Sequence, residues 1–198
     1  MLKRLFDISF TILFSPLILL ILLFAVFMVF ITDGRPIFFS QSRPGLNLKP
    51  FTIYKLKTMR DPTKDISSIH DLSRVTKMGR FLRKFSIDEL PQFYNVLMGH
   101  MSIVGPRPLL FEYVKHHTKD ELRRYSVRPG ITGLAQTEGR NNLPWKKKFE
   151  LDLFYVDKRS FFMDIRIILA TFFVILSAKG INKNIKRTMD IYTGKDDN

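Results

Sequence analysis

Cysteine is absent from the 198 residues, which excludes disulfides, thiolate nucleophiles and thiolate metal sites at once. Acidic residues are scarce: 18 Asp and Glu stand against 32 Lys and Arg. The net charge of +14 predicts attraction to polyanions, whether nucleic acid, anionic lipid or a diphosphate substrate. There is no glycine-rich Walker loop, no dinucleotide fingerprint and no internal repeat. His70, His116 and His117 show no metal-ligand spacing and read as surface residues. The length accommodates one catalytic domain and an anchor.

What the chain does have begins with an apolar run from Phe10 to Ile31, interrupted by Thr11, Ser15 and Pro16. About 20 such residues suffice to cross a bilayer. A cleaved signal peptide fits less well, because the run exceeds the usual length and no small-residue cleavage site follows. Lys3 and Arg4 precede the run and the basic bulk of the protein follows it, whereas positive charge prefers the cytoplasmic side. A helix broken in mid-segment and returning to its own side would satisfy both flanks. Ser15-Pro16 sits where that break is needed, since proline removes a backbone donor and the serine hydroxyl can pair with a freed backbone group. A merely kinked spanning helix is the alternative, and these residues alone leave both open.

Beyond Asp33-Gly34 the pattern is short and mixed. Pro36 to Phe39 and Pro50 to Tyr54 read as strands of a hairpin around an Arg43-Pro44-Gly45 turn, and Asp61 to Asp71 as a surface loop. Val75 to Phe85 reads as a helix with one basic and one apolar face. Further helices are expected over Asp88 to Met98, Leu109 to Tyr125, Trp145 to Tyr155 and Phe161 to Ala178. The last is apolar enough to lie in an interface, but Asp164 and Arg166 argue against a second span. The tail from Lys179 to Asn198 is basic, then acidic, and reads as a mobile extension. The fold class is therefore α+β, predominantly helical: a membrane segment over residues 1–33, a compact catalytic domain with interfacial helices over 34–180, and a polar tail over 181–198.

The stretch Arg83-Lys84-Phe85-Ser86-Ile87-Asp88-Glu89-Leu90-Pro91-Gln92 sets two adjacent carboxylates after a basic run. Ser86 and Glu89 have the spacing of a helix capping box, a purely structural role. The functional alternative starts from the same place. A helix start favours bound phosphate, and a carboxylate kept ionised by Arg83 can attack phosphorus to form an acyl-phosphate while its neighbour holds a divalent ion.

In addition to these strings the chain carries Lys3-Arg4-Leu5-Phe6-Asp7, Gln41-Ser42-Arg43-Pro44-Gly45, Tyr54-Lys55-Leu56-Lys57-Thr58-Met59, Met101-Ser102-Ile103-Val104-Gly105-Pro106-Arg107-Pro108 and Arg128-Pro129-Gly130-Ile131-Thr132-Gly133. Over nearly its whole length it resembles the monotopic phosphoglycosyl transferases, bacterial enzymes that start glycoconjugate assembly. The resemblance implies a re-entrant helix hairpin broken at Ser15-Pro16, Asp88 as covalent nucleophile and Glu89 as its partner and Mg²⁺ ligand. It also implies Lys55, Arg83 and Arg140 as phosphate contacts and Arg107 as part of a nucleotide site. The expected partners are a UDP-sugar, a polyprenyl phosphate such as undecaprenyl phosphate and an anionic membrane surface, without nucleic acid, at the cytoplasmic face of the bacterial inner membrane. His100 stands where the family commonly has Asp, and Glu138 where relatives often carry Asn. The rival readings are a membrane-anchored nucleic-acid-binding protein, for which no motif speaks, and a noncatalytic scaffold in which Asp88-Glu89 is only a cap.

Overall fold

A computed structural model describes residues 2–61, 72–139, 143–177 and 192–194. Most of the Asp61 to Asp71 loop, Arg140 and most of the tail lie outside those residues. The described chain is mostly helical, with two small sheets.

Helix α1, Leu2–Asp33, has two anchored ends and an exposed middle. At its start, Lys3 Nζ meets Asp164 Oδ2 at 2.7 Å, and Arg4 donates to the carbonyls of Val96 and Leu97. The buried Asp7 carboxylate accepts from Ser102 Oγ and the Ile103 N–H, both at 3.0 Å. Near its end, Ala25 and Val29 pack against Leu56 and Leu82, and Thr76 Oγ1 donates to Asp33 Oδ2 at 2.7 Å. Between these grips Leu13, Leu17, Leu20 and Phe24 are all exposed, a far larger apolar patch than a water-facing helix carries. The hairpin expected to open at Ser15-Pro16 does not appear as two helices with a loop: one helical element passes through both residues. Ser15 Oγ returns to the Ile12 carbonyl at 2.8 Å, so it satisfies its own turn and starts no new helix.

Strands β1 (Phe38–Pro44) and β2 (Pro50–Leu56) form an antiparallel hairpin in which Phe38 faces Leu56 and Arg43 faces Phe51. The strand reaches further than its apolar pattern suggests. Arg43 and Pro44 belong to β1, and the turn falls on Gly45 to Lys49, with Asn47 and Leu48 at positive φ. Helix α2, Lys77–Lys84, is capped by Thr76, whose hydroxyl accepts from the Gly79 N–H at 2.8 Å. Gly79 is required for packing, because a Cβ there would stand 2.1 Å from the Thr58 carbonyl oxygen. Helix α3, Gln92–Leu97, follows the Asp88-Glu89 segment instead of containing it.

A second, parallel pair joins β3 (Ser102–Val104) to β4 (Gly130–Thr132), with Ser102 opposite Gly130. Neither strand shows as a period-two run, because all three β3 residues are buried. The single helix expected over Leu109 to Tyr125 is instead a one-turn helix α4, Phe111–Val114, and a 3-10 segment, Glu121–Ser126. Helices α5 (Leu134–Glu138), α6 (Trp145–Lys158) and α7 (Phe161–Ser177) complete the domain.

The main core gathers Phe51, Ile53, Val96, Met101, Ile103, Val104, Tyr155, Ile167 and Ile168, with Phe6 and Phe10 of α1 packed on it. Asp164 is buried, and besides Lys3 it accepts from Tyr155 Oη at 2.7 Å, which explains how a carboxylate sits in so apolar a helix. A smaller aromatic cluster joins Tyr113, Trp145, Phe149 and Tyr192. Two expectations change here. Tyr192 is buried, so the tail is docked at this point, and His117 is half-buried with its ring 4.9 Å from that of Phe149.

Candidate active site

Asp88 and Glu89 lie on a 3-10 turn, Ile87–Glu89, between α2 and α3. Ser86, which precedes it, takes the left-handed conformation (φ 56°, ψ 23°) and its side chain caps nothing. The capping box is therefore not formed. A left-handed non-glycine residue costs on the order of 1 kcal/mol, and here it reverses the chain after α2 so that the carboxylates face back toward β2.

Four cations converge on the two carboxylates. Lys55 projects from β2 and its Nζ lies 2.5 Å from Glu89 Oε1. Arg107, held between Pro106 and Pro108, brings its NH2 group to 2.8 Å from the same oxygen and its NH1 group to 3.5 Å from Oε2. Arg83, in the last turn of α2, donates from Nε to Thr58 Oγ1 at 2.8 Å and attracts both carboxylates. Arg43, at the end of β1, adds its charge beside Arg107.

The two carboxylates are not equivalent. Burial alone would raise the pKa of Glu89, but Arg107 and Lys55 override it and hold the group well below the ordinary carboxylate range. Glu89 is thus a fixed anion that orients two cations. Asp88 is buried, and burial raises its pKa, helped by the neighbouring Glu89 charge and opposed by Lys55, Arg83 and Arg107. Its carboxylate accepts no hydrogen bond among the described residues. An uncommitted carboxylate ringed by cations is arranged as a nucleophile toward an anionic substrate.

Arg107 is braced from behind. The buried Arg124 donates to the Arg107 carbonyl at 2.7 Å and pairs with the buried Asp152 at 2.7 Å. Sequence reasoning missed this pair, since residues 28 positions apart give no local signal. It also missed Arg43 as a site residue, although Arg43 lies in a quoted motif. Of the expected phosphate contacts, the structure brings Lys55, Arg83 and Arg107 together with Asp88 and Glu89, while Arg140 lies outside the described residues. His100 takes no part in the site. Its N–H closes the turn onto the Asn95 carbonyl at 3.0 Å and its ring lies 6.0 Å from that of Phe51.

No cluster of three or more metal-ligating side chains occurs among the described residues. Mg²⁺ commonly binds through one or two carboxylates, with phosphate and water oxygens completing its shell. Asp88 and Glu89 fit that mode, because Asp88 is unpaired and Glu89 Oε2 carries only the 3.5 Å contact. Leu90 and Pro91, which follow the carboxylates in sequence, help line an apolar cavity of about 350 Å³ between the middle of α1 and the domain, together with Thr11, Ser15, Leu22, Tyr54 and Tyr94 among others.

The sequence profile of the bacterial sugar transferases matches residues 1–178. The chain belongs to that family. The transferase is 48% identical over 197 residues to the uncharacterized sugar transferase EpsL of Bacillus subtilis, covering 99% of this chain and 98% of that protein. It is 38% identical over 184 residues to the UDP-glucose:undecaprenyl-phosphate glucose-1-phosphate transferase of Escherichia coli, covering 87% of this chain but 40% of that protein. It is 38% identical over 191 residues to the exopolysaccharide production protein PSS of Rhizobium leguminosarum, covering 86% and 92% respectively. The transferase thus spans about two fifths of the longer Escherichia coli relative and nearly all of the two compact ones.

Proposed function

We propose that the transferase moves a sugar 1-phosphate from a UDP-sugar to undecaprenyl phosphate and releases UMP, through a covalent phosphosugar intermediate on Asp88. The observation that carries this reading is the unpaired, buried Asp88 carboxylate inside a ring of Lys55, Arg83 and Arg107. An Asp88 oxygen bonds to the sugar-side phosphorus as the bridging P–O bond breaks, and the electron pair leaves with UMP. A nucleotide phosphate needs little protonation to depart. The lipid phosphate then attacks the same phosphorus, restoring Asp88 and giving a polyprenyl diphosphosugar. Mg²⁺, held by Glu89 and Asp88, would supply charge neutralisation on the diphosphate. Arg83 and Lys55 hold the transferred phosphate, and Glu89 keeps Lys55 and Arg107 from moving as charge shifts.

The lipid side of the reading rests on α1. Hydrogen bonds tie its two ends to one domain, which supports a reading with both ends on one face of the membrane, as in a re-entrant segment. The apolar cavity runs from the middle of α1 to Leu90-Pro91, directly after the carboxylates, and suits the first isoprene units of the acceptor. The exposed Phe161, Phe162, Phe172 and Phe173 of α7 would meet the same interface at the cytoplasmic face of the inner membrane. Incubation with a panel of UDP-sugars and Mg²⁺, without lipid, should release UMP and leave a sugar-phosphate mass on Asp88 of one panel member's reaction. UMP release that strictly requires undecaprenyl phosphate, with no adduct, would show a direct displacement in a ternary complex.

A further inference from the structure

Of the described tail residues only Tyr192 is buried, and the covalent step gives it no task. Two features dock it. Its ring packs edge-on against Tyr113 and Phe149 and at a tilt on Trp145, with centroids 6.0, 5.1 and 5.3 Å away. Two residues on, Gly194 takes φ +76°, and a Cβ there would stand 3.1 Å from the His116 Cβ, so this backbone lies against the domain in a form that glycine alone adopts readily. The Tyr192 hydroxyl then bridges two segments. It lies 3.1 Å from the His116 carbonyl, just beyond α4, and 3.3 Å from Glu121 Oε2, at the start of the 3-10 segment, so its single proton is shared between them. Glu121 Oε2 also accepts from the Thr118 N–H at 2.7 Å. One helical turn and a 3-10 run have few good hydrogen bonds of their own, and outside contacts must hold them in place.

Both segments lead to the site. The 3-10 segment carries Arg124, whose guanidinium lies 5.8 Å from the centre of the Phe149 ring on which Tyr192 packs. Arg124 donates to the Arg107 carbonyl at 2.7 Å, and Arg107 meets Glu89 at 2.8 Å. A second route is shorter: Leu109, two residues after Arg107, belongs to the same buried cluster as Tyr192. Loss of Tyr192 therefore loosens the brace behind Arg107 and the chain that follows it, while every charge at the site stays in the sequence.

We propose that Tyr192 is a positioning residue of the active site: the C-terminal tail docks through it and fixes the Arg107 segment, so that the Arg107 fork is already aimed when the donor arrives. Tyr192 touches neither the carboxylates nor the substrate and acts only through Arg107. This rests on the reading of the Arg107–Glu89 cluster as part of the donor site. A guanidinium contributes through the direction of its fork as well as its charge, which makes it sensitive to small movements of its backbone.

The test uses the full-length protein in lipid nanodiscs, as wild type, Tyr192→Ala, Tyr192→Phe, Arg107→Lys and the Arg107→Lys protein carrying Tyr192→Ala, with thermal unfolding recorded for each. Amide hydrogen exchange read by mass spectrometry should be about tenfold faster over residues 103–112 and 116–126 in Tyr192→Ala, while the β1–β2 hairpin and α7 keep wild-type rates. Turnover is UMP release from the UDP-sugar picked by the panel, with undecaprenyl phosphate present. Tyr192→Ala should lower it about tenfold when Arg107 is intact and less than about twofold when Arg107 is already Lys, since a residue that acts through the fork has no fork left to place. Tyr192→Phe, which keeps the ring and loses the shared proton, should lose about threefold, and it carries the test alone if Tyr192→Ala does not fold. Equal losses on both Arg107 backgrounds, or exchange that rises evenly over the domain, would make Tyr192 a general stability residue and overturn the proposal, as would wild-type turnover in a folded Tyr192→Ala protein. If no UDP-sugar releases UMP from wild type, the donor-site reading fails on its own, and exchange over residues 103–112 still decides whether Tyr192 fixes the Arg107 segment.

Discussion

Asp88 and Glu89 are neighbours in sequence and opposites in environment, and their substitutions should separate activity from stability. Replacing Glu89 with Gln removes the anion shared by Lys55 and Arg107. Losing one member of a buried pair costs about 3–5 kcal/mol, but the Lys55 and Arg107 side chains retain 20% and 43% of their exposure, so water recovers part of the loss. About 2 kcal/mol is the expected cost, which for a domain of this size lowers Tm by roughly 4–8 °C. Asp88→Asn removes a charge that accepts no hydrogen bond and that burial opposes. The folded-state pKa of Asp88 lies above the ordinary 3.8, so its ionisation destabilises the fold and stability falls as pH rises from that value toward the folded-state pKa. Asp88→Asn should therefore melt at or above the wild-type temperature while releasing no UMP. The single tryptophan, Trp145, lies buried in the domain and reports unfolding by its emission. If Asp88→Asn melts as far below wild type as Glu89→Gln does, or Glu89→Gln melts like wild type, the assignment of a free nucleophile beside a clamped anion is wrong.

Three further outcomes follow from the same geometry. Asp152→Asn leaves Arg124 buried without its counter-charge and should destabilise the fold by about 3–5 kcal/mol, whereas the paired change Arg124→Met with Asp152→Leu should recover most of the melting temperature yet keep a depressed kcat, because the Arg107 carbonyl has lost its brace. The acid limb of kcat/KM should lie above the ordinary carboxylate range, since Asp88 must be ionised to attack, and Lys55→Met should move that limb to higher pH; a limb at or below pH 4 in wild type would count against Asp88. A single cysteine placed at Lys3 should resist an impermeant thiol reagent added to intact cells, and labelling from outside would end the re-entrant reading of α1.

The β1–β2 hairpin, helices α2, α6 and α7, the apolar α1 segment and the Asp88-Glu89 pair are legible in the chain because each is local: a run of one character, a periodic face, a motif of adjacent residues. The Lys55, Arg83 and Arg107 contacts were expected only through family resemblance, and the structure supplied their common focus. What tertiary structure alone decided is everything that depends on which neighbours meet. Ser86 has the right spacing for a cap and does not act as one, because it takes the left-handed conformation that turns the chain between α2 and the carboxylates and its side chain makes no capping bond. Arg43 reads as a turn residue until the strand register extends β1 through it and leaves its Nε sealed beside Arg107. Arg124 and Asp152 are two more charges in a basic chain until burial makes each the other's condition for folding. Sequence pattern records whether a side chain prefers water; the field at Asp88 is a sum over residues from β2, α2, the neighbouring Glu89 and the Pro106-Pro108 segment, and only their convergence in space sets it.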